Sequence, residues 1–330
     1  MGKAFLYGNG GGSASGGTLT VTAPANVTVT ISKDGKTKAK NSGTSGVAVF
    51  KGLASGTWTV TITGDGKTAQ KNAVVTTDYS MAISFNAIPE FTYTGDFEIV
   101  SDSDELITVS QDNWKIRFLT SGTLVFNSLN GAEGGIDIFL VGGGGGAKWN
   151  SSGGGGGGGY TTTERGISVA VGVAYDIVIG AGGIAANDGG TTTAFGLSAS
   201  GGKGSNYSTG GDGGSGGGGY VHAQSTSTNA GNGGSDGSDG AAASPNGGKG
   251  GAGQGTTTRE FGEATGKLYA GGGAGASNNS SVQPVGGSGG GGNTKTDGTA
   301  NTGGGAGNES NGQHTGGSGI VIIRNAREAA

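Results

Sequence analysis

Apolar and polar residues alternate along the first part of the chain, between Thr18 and Phe85. The alternating runs are TLTVTA, VTVTIS, VAVF, TWTVTIT and YSMAISF, and many of their apolar residues are β-branched. Since side chains two positions apart lie on one face of a strand, this pattern predicts β-strands. Asp34-Gly35 and Asp65-Gly66 supply the positive φ angles of tight hairpin turns. We therefore predict a small antiparallel β-sandwich of about seven strands over residues 18–88.

A second group of apolar runs lies between residues 89 and 141 and predicts strands at Trp114–Leu119, Thr123–Phe126 and Ile136–Val141. Beyond this point three stretches are apolar enough to anchor a fold. They are residues 167–179, residues 192–199 in weaker form, and residues 320–323. We predict a β-anchored glycine-rich domain over residues 89–330. Residues 1–17 contain the small-residue sequence GNGGGSASGG and are predicted to form an attachment peg and flexible linker.

Glycine accounts for 82 of the 330 residues, and hydrophobic residues for only 32%, against about 45–50% in ordinary globular chains. This composition excludes an average enzyme core. Disorder is one interpretation, because glycine-rich sequence without a period is typical of low-complexity segments. Local spacing favours order instead, since several glycines recur three positions apart. Such runs are Gly210, Gly213, Gly216 and Gly219, and those that begin at Gly231, Gly247 and Gly286.

A spacing of three matches the polyproline II helix, which turns once in three residues and has no internal hydrogen bonds. When such helices pack side by side, a position that faces a neighbour must be glycine, because a Cβ would hold the backbones apart. The predicted fold is therefore mostly β, with the small sandwich followed by a β-anchored bundle of packed polyglycine II helices. Hydrogen bonds between helices and weak Cα–H···O contacts would replace side-chain packing.

The predicted sandwich resembles a known class of small β-modules. Gly46 and Val47-Ala48-Val49-Phe50 open the phrase that carries the resemblance, and Gly52-Leu53 and Ser55-Gly56-Thr57-Trp58-Thr59-Val60 complete it. It is similar to the closing phrase of transthyretin-like and carboxypeptidase-regulatory-like modules. The resemblance implies a two-sheet sandwich over about 70 residues.

Four further phrases, in order, resemble the glycine-rich domain of bacteriophage tail and fibre proteins. They are residues 113–124 (NWKIRFLTSGTL), 136–146, 175–183 (YDIVIGAGG) and 316–324 (GGSGIVIIR). The resemblance covers residues 90–325 and implies a polyglycine II domain whose loops touch a bacterial receptor. It implies a phage virion structural protein, located on the particle surface, whose rigid glycine-rich tip binds the host cell. A capsid or tail decoration or fibre protein without specific receptor binding is the alternative.

The same resemblance implies three kinds of partner. Other virion proteins would bind the N-terminus, a bacterial surface glycan or protein would bind the tip, and homo-oligomerisation stays open. The net charge of −4 and the dispersed basic residues predict no nucleic-acid binding. No segment approaches the ~20 apolar residues of a membrane-spanning helix, so no membrane insertion is predicted.

Candidate chemistry is sparse along the chain. Gly180–Ala185 imitates a dinucleotide-binding motif, but the sequence that follows it, Ala186-Asn187-Asp188-Gly189-Gly190, cannot form the helix that this motif requires. His222 and His314 stand apart from any carboxylate cluster, and Asp236 and Asp239 lack the order of a calcium-binding repeat. With no cysteine either, we predict no metal site, no cofactor, no catalytic residue and no enzymatic activity.

Aromatic residues within the glycine-rich loops are the strongest candidates for receptor contact. Large amphipathic rings on a scaffold poor in side chains provide contact area at low entropic cost. The alternative is that each ring caps the end of the bundle and shields backbone groups. The candidates are Trp149, Tyr160, Tyr207, Tyr220, His222, Phe261 and Tyr269.

Overall fold

A computed structural model describes most of the chain. The described residues are 16–64, 67–84, 88–107, 113–129, 132, 135–147, 153–206, 209–220, 237–242, 251, 257–276, 283–308 and 312–327. The chain divides into two compact units, of which the first ends at Ile88 and the second begins at Pro89. Most of the predicted peg and linker, residues 1–15, lies outside the described residues.

The first unit is a sandwich of two sheets. Its strands are β1 (Gly17–Thr22), β2 (Thr28–Lys33), β3 (Lys36–Asn41), β4 (Val47–Leu53), β5 (Gly56–Gly64), β6 (Lys67–Val75) and β7 (Tyr79–Ala82). One sheet has the order β4-β1-β7 and the other the order β3-β2-β5-β6. All pairs are antiparallel except β1 with β7, which is parallel and departs from the antiparallel arrangement that we predicted.

Alternating residues of both sheets meet in one hydrophobic core. Leu19 and Val21 from one sheet and Ile31 and Val60 from the other are fully buried, as the period of two predicts. The indole Nε1 of Trp58 donates to the carbonyl oxygen of Ala54 at 2.9 Å, which satisfies the polar atom of the largest core side chain. The core thus contains the apolar positions of the predicted strands.

The second unit contains two larger sheets and a hairpin. Its strands are β8 (Phe91–Tyr93), β9 (Phe97–Val100), β10 (Lys115–Phe118), β11 (Gly122–Phe126), β12 (Ile136–Val141), β13 (Thr161–Ile167), β14 (Ala174–Ile177), β15 (Thr192–Ala194), β16 (Leu197–Ala199) and β17 (Ile320–Asn325). The five-stranded sheet has the order β13-β12-β17-β10-β9, and the three-stranded sheet has the order β14-β11-β8. The last strand in sequence, β17, is therefore the middle strand of the larger sheet.

A glycine-rich segment, residues 142–147, follows β12. Its successive N–H groups donate to three neighbouring segments in turn, so that every third N–H group donates to the same segment. The donor direction recurs every three residues, which is the turn of a polyproline II helix. When the donor position increases by three along the sequence, the position of the acceptor on the same neighbour decreases by three. These neighbours therefore run antiparallel to the segment. The bonds, of 2.8–3.2 Å, run from Gly142 to Tyr160, Gly143 to Gly190, Gly144 to Gly317, Gly145 to Gly157, Gly146 to Asn187 and Ala147 to His314.

Three other segments contact residues 142–147 through the glycine Cα atoms. A Cβ added at any of residues 142–146 would overlap a backbone carbonyl oxygen. The carbonyl groups belong to Ser200, Ala181, Gly304, Lys203 and Ala185 in turn. Six described segments therefore surround residues 142–147, three through N–H groups and three through Cα atoms, as in hexagonal packing.

Residues 153–160 repeat this arrangement immediately before β13. Their N–H groups again donate in turn to carbonyl oxygens of three neighbouring segments, with N···O distances of 2.8–3.0 Å. The bonds run from Gly155 to Gly218, Gly156 to Ala306, Gly157 to Lys203, Gly158 to Ser215, Gly159 to Gly303 and Tyr160 to Ser200. Backbone groups, rather than side chains, form the interior of what we call the glycine bundle.

The glycines spaced three apart in residues 210–219 do not form one helix. Residues 211–214 run parallel to residues 155–158, whereas residues 215–218 run antiparallel to them. The chain reverses between Gly214 and Ser215. The spacing correctly indicates the three-residue turn, but it does not mark where a segment begins and ends.

Candidate functional site

The glycine bundle has two ends that differ in chemistry. At the sheet end, residues 142–147 and 200–205 leave β12 and β16, while residues 153–160 and 314–319 lead into β13 and β17. At the opposite end, which we call the distal end, the described chain turns without strands.

Short turns and bridges close the described part of the distal end. The Asn187 N–H donates to the Ile184 carbonyl at 3.1 Å, and the Asn206 N–H donates to the Thr209 carbonyl at 3.1 Å. Isolated bridges pair Ala147 with His314 and Ile184 with Thr315. Ile184 is 59% exposed, so an apolar side chain stands on this surface.

Polar side chains near the distal end are paired with one another. His314 Nδ1 lies 3.1 Å from Asp297 Oδ1, which also accepts the Thr315 N–H at 2.9 Å. On the neighbouring flank, Lys203 Nζ lies 2.7 Å from Asp188 Oδ2. The hydrogen bond from Lys203 lowers the pKa of the Asp188 carboxyl from its ordinary value. This end therefore presents ordered polar groups on a backbone scaffold.

Three of the predicted contact residues, Trp149, Tyr207 and His222, lie outside the described residues. The last described residues before them are Ala147, Asn206 and Tyr220. Each of these is the last described residue of a segment that runs from the sheet end toward the distal end.

The other four candidates are divided between the two ends. Tyr160 is half-buried and lies at the sheet end, where the bundle joins β13. Tyr220 lies at the distal end but is only 2% exposed, and Phe261 and Tyr269 are equally buried. This corrects the expectation that Tyr220, Phe261 and Tyr269 contact a receptor, because their rings have no accessible surface.

Phe261 and Tyr269 belong to the core of the sheet end. Their ring centroids lie 6.0 and 5.3 Å from that of Phe139 on β12. They come from residues 257–270, a segment that includes a 3₁₀ turn at Glu260–Gly262 and covers one face of the five-stranded sheet. They pack with Phe139 in one hydrophobic cluster and are therefore core residues.

A buried ionic cluster, which the sequence reasoning missed, joins this segment to the sheet. Lys115 Nζ lies 2.7 Å from Asp104 Oδ1 and 2.9 Å from Glu260 Oε1. Arg117, two residues along the same strand, pairs with the same two carboxylates. Burial raises the pKa of Asp104, but hydrogen bonds from Arg117 and Lys115 outweigh it, so the net shift is downward.

A second part of the cluster centres on the fully buried Asp137 of β12. Its Oδ2 accepts from Arg324 Nε at 3.1 Å and Arg165 Nη1 at 3.3 Å, and its Oδ1 accepts the Gly166 N–H at 3.1 Å. Arg324 also stacks on the Phe261 ring at 4.1 Å and reaches Glu263 at 2.7 Å. This second part of the cluster therefore joins β12, β13 and β17 to the covering segment.

A cleft of about 460 Å³ opens beside the ionic cluster. Its charged lining residues balance, with four acidic and four basic side chains. They are Asp102, Asp104, Glu260 and Glu263 against Lys115, Lys267, Arg324 and Arg327. Because the numbers of acidic and basic side chains are equal, the cleft has no excess charge with which to select an ionic ligand, and we assign it to structure.

Charged residues inside apolar strand sequences were the signal for this cluster. Lys115 and Arg117 alternate within NWKIRFL, Asp137 interrupts GIDIFLV, and Arg324 follows IVII. Charged side chains at core-facing positions must be paired when buried. That rule predicts pairing among these residues, although it does not name the partners.

Within the described residues, no group of three or more His, Asp or Glu side chains is placed to hold a metal ion. No helix in the described part of the chain is long and apolar enough to cross a membrane. Asp236, one of the two aspartates considered for calcium, lies outside the described residues.

The fold and its glycine bundle define a β-rich protein with a backbone-packed domain. Residues 120–326 match the family described as glycine-rich domain, which covers more than half of the chain. The chain therefore belongs to the glycine-rich domain family. A comparison with curated proteins finds no match.

Proposed function

We propose that this chain is a structural protein of a bacteriophage tail or fibre, and that the distal end of its glycine bundle binds the host cell surface. The observation that carries the proposal is the separation of the two ends. Strands and a buried ionic cluster occupy one end, while the other presents the exposed Ile184 and the His314–Asp297 pair. Recognition residues are commonly carried by loops that a rigid scaffold positions.

Rigidity of the scaffold supports the same function. A bundle in which each inner segment is held by six neighbours leaves little freedom to its turns, and pre-organised surfaces lose less entropy on binding. The partner class is a bacterial surface glycan or protein. The sandwich, with its transthyretin-like sequence phrase, would serve as a spacer, and the N-terminal residues would join other virion proteins. In this role the protein performs no catalysis.

Adsorption of the fluorescently labelled full-length protein to intact cells of candidate hosts tests this proposal. We expect saturable binding that competes with phage adsorption. Ile184→Arg and Trp149→Ala should each weaken binding without changing the thermal unfolding temperature. Val171→Arg is the matched control, since Val171 is 54% exposed and lies at the sheet end beside β11.

Two results would overturn the proposal. If a folded protein binds none of a broad host panel, a decoration or fibre protein without receptor binding replaces it. If Val171→Arg weakens adsorption as much as Ile184→Arg does, the distal end is not the binding surface.

A further inference from the structure

The two units carry opposite charge. Residues 1–88 contain eight lysines, no arginine, three aspartates and no glutamate, which gives a formal charge of +5. Residues 89–330 contain 11 basic and 20 acidic residues, a charge of −9, so the whole chain has −4. The overall charge therefore conceals a basic first unit.

Much of this positive charge lies along one open side of the sandwich. Lys36, Lys38 and Lys40 occupy alternate positions of the edge strand β3 and are all exposed. Lys38 pairs across the sheet with Ile31, and Lys40 with Val29, both of which are buried. Directly paired residues of neighbouring strands lie on the same face of a sheet. The side chains of Lys38 and Lys40 therefore lie on the face that covers the core, and they project past the edge of the facing sheet.

Backbone carbonyls of β4, in the facing sheet, accept hydrogen bonds from two of these three ammonium groups. Lys40 Nζ donates to the Val49 carbonyl at 2.5 Å, and Lys38 Nζ donates to the Lys51 carbonyl at 3.4 Å. Lys33 Nζ donates to the Ser55 carbonyl at 2.6 Å. Two residues of an extended strand span roughly 7 Å, so the Lys51 and Val49 carbonyls that bind Lys38 and Lys40 are about that far apart.

A groove of about 310 Å³ lies at one end of this row of lysines. Three lysines and one aspartate line it, and Lys33 Nζ lies 3.6 Å from Asp34 Oδ2, so the charge of the lining is positive. Gly52 in its wall has open space in front of its Cα. The lining residues are Lys33, Asp34, Lys36, Lys38, Gly52, Ala54 and Trp58.

We propose that this side of the sandwich binds an acidic polysaccharide, with one acidic sugar in the groove and the next carboxylate near Lys40. Lysines on an edge strand also deter strand pairing, but that role requires neither a groove nor anchored ammonium groups. The volume suits a single small polar ligand. Trp58 is the groove's aromatic lining residue and is buried, so the groove offers no exposed ring for the base stacking that single-stranded nucleic acid uses.

Binding of the full-length protein to polygalacturonate, measured by biolayer interferometry at 50, 150 and 500 mM salt, is the direct test. Neutral dextran and a single-stranded DNA oligomer serve as comparison ligands. We expect binding to polygalacturonate, none to dextran, and a steep loss of affinity with salt, because salt screens exposed charges. The combined variant Lys36→Gln, Lys38→Gln, Lys40→Gln should lower affinity about tenfold or more.

The control removes two lysines from the second unit, by Lys267→Gln and Lys295→Gln, and should keep wild-type affinity. Equal loss in the control, tighter binding to DNA, or no binding at 50 mM salt would each overturn the inference. Ile184→Arg should bind polygalacturonate normally. Failure of this site is therefore distinguishable from failure of the distal end as a receptor-binding surface.

Discussion

Asp137 and Arg324 face each other across the two central strands of the five-stranded sheet, with Asp137 Oδ2 3.1 Å from Arg324 Nε. Asp137 is fully buried and Arg324 is 2% exposed. Their strands are 187 residues apart in sequence. This contact joins the beginning of the glycine bundle to the strand that follows its end.

Removal of one partner from this pair should destabilise the second unit severely. Asp137→Ala leaves the guanidinium of Arg324 without its buried acceptor, and we expect a loss of about 3–5 kcal/mol in the free energy of unfolding. Urea denaturation followed by tryptophan fluorescence measures it. Asp102→Ala, which removes the exposed partner of Arg327, is the control and should cost about 0–1 kcal/mol. Equal losses would show that burial of the Asp137 pair is irrelevant.

Glycines inside the bundle should tolerate no side chain. In Gly144→Ala the new Cβ overlaps the Gly304 carbonyl, which belongs to a packed backbone and cannot rotate away. We expect a loss above about 4 kcal/mol or failure to fold. Gly172→Ala has open space but a φ of +74°, so it should cost only about 1–2 kcal/mol. Thermal unfolding of both variants checks the difference, and a stable Gly144→Ala would contradict the backbone-packed interior.

Tyr269 should make the second unit sensitive to alkali. Burial, followed by the nearby Glu260 carboxylate, raises the pKa of Tyr269 far above its ordinary value of 10.0. The unfolded chain therefore releases this proton first, and stability that is intact below pH 10 falls as pH rises above it, by up to about 1.4 kcal/mol per pH unit.

Tyr269→Phe should reduce that slope in urea denaturation between pH 9 and 12. Part of the slope should persist, because burial and the neighbouring Asp96 raise the pKa of Tyr93 to about 12. A slope unchanged in Tyr269→Phe would refute this assignment.

The strand β17 should be indispensable for folding of the second unit. Deletion of residues 320–330 removes the middle strand of the five-stranded sheet and one side of the pairing of both β10 and β12. We expect insoluble or unfolded protein, judged by circular dichroism and gel filtration. Deletion of residues 328–330 alone keeps β17 and Arg327 and should give a wild-type unfolding temperature. A folded protein after the longer deletion would contradict the topology.

The strand sequences of the sheets were predictable where apolar residues dominate. β12 agrees with the predicted Ile136–Val141, and β10, β11 and β17 lie within one or two residues of their predicted bounds. β3 and β6 follow the predicted hairpin turns at Asp34-Gly35 and Asp65-Gly66, but their residues were not assigned, because lysine, threonine and asparagine obscure the alternation. β3 forms through pairing with β2 rather than through burial of its own side chains.

The three-residue turn of the glycine segments was also predictable, whereas their position in the bundle was not. Inner segments contact a neighbour at every residue, so they require consecutive glycines, as in GGGGGA at 142–147. Segments at the margin need glycine at fewer positions. Glycines spaced three apart therefore identify inner segments less well than an unbroken run of glycines does. For this reason the reversal of the chain after Gly214 was not predicted.

Residue type alone did not separate surface rings from core rings. Phe261 and Tyr269 lie in glycine-rich sequence and suggested exposure, but Phe139 and the ionic cluster of the sheet hold their segment down. The partners of that cluster, such as Asp137 and Arg324, are remote in sequence. Their pairing depends on the topology of the sheet, which local patterns do not encode.

An interior made of peptide groups has a thermodynamic consequence. Exposure of apolar surface raises the heat capacity on unfolding, and exposure of polar backbone lowers it. The glycine bundle should therefore unfold with a heat-capacity change per residue below the usual ~12–15 cal/mol/K. Its stability curve would be flatter than that of a side-chain core, so the shape of its distal surface would depend little on temperature.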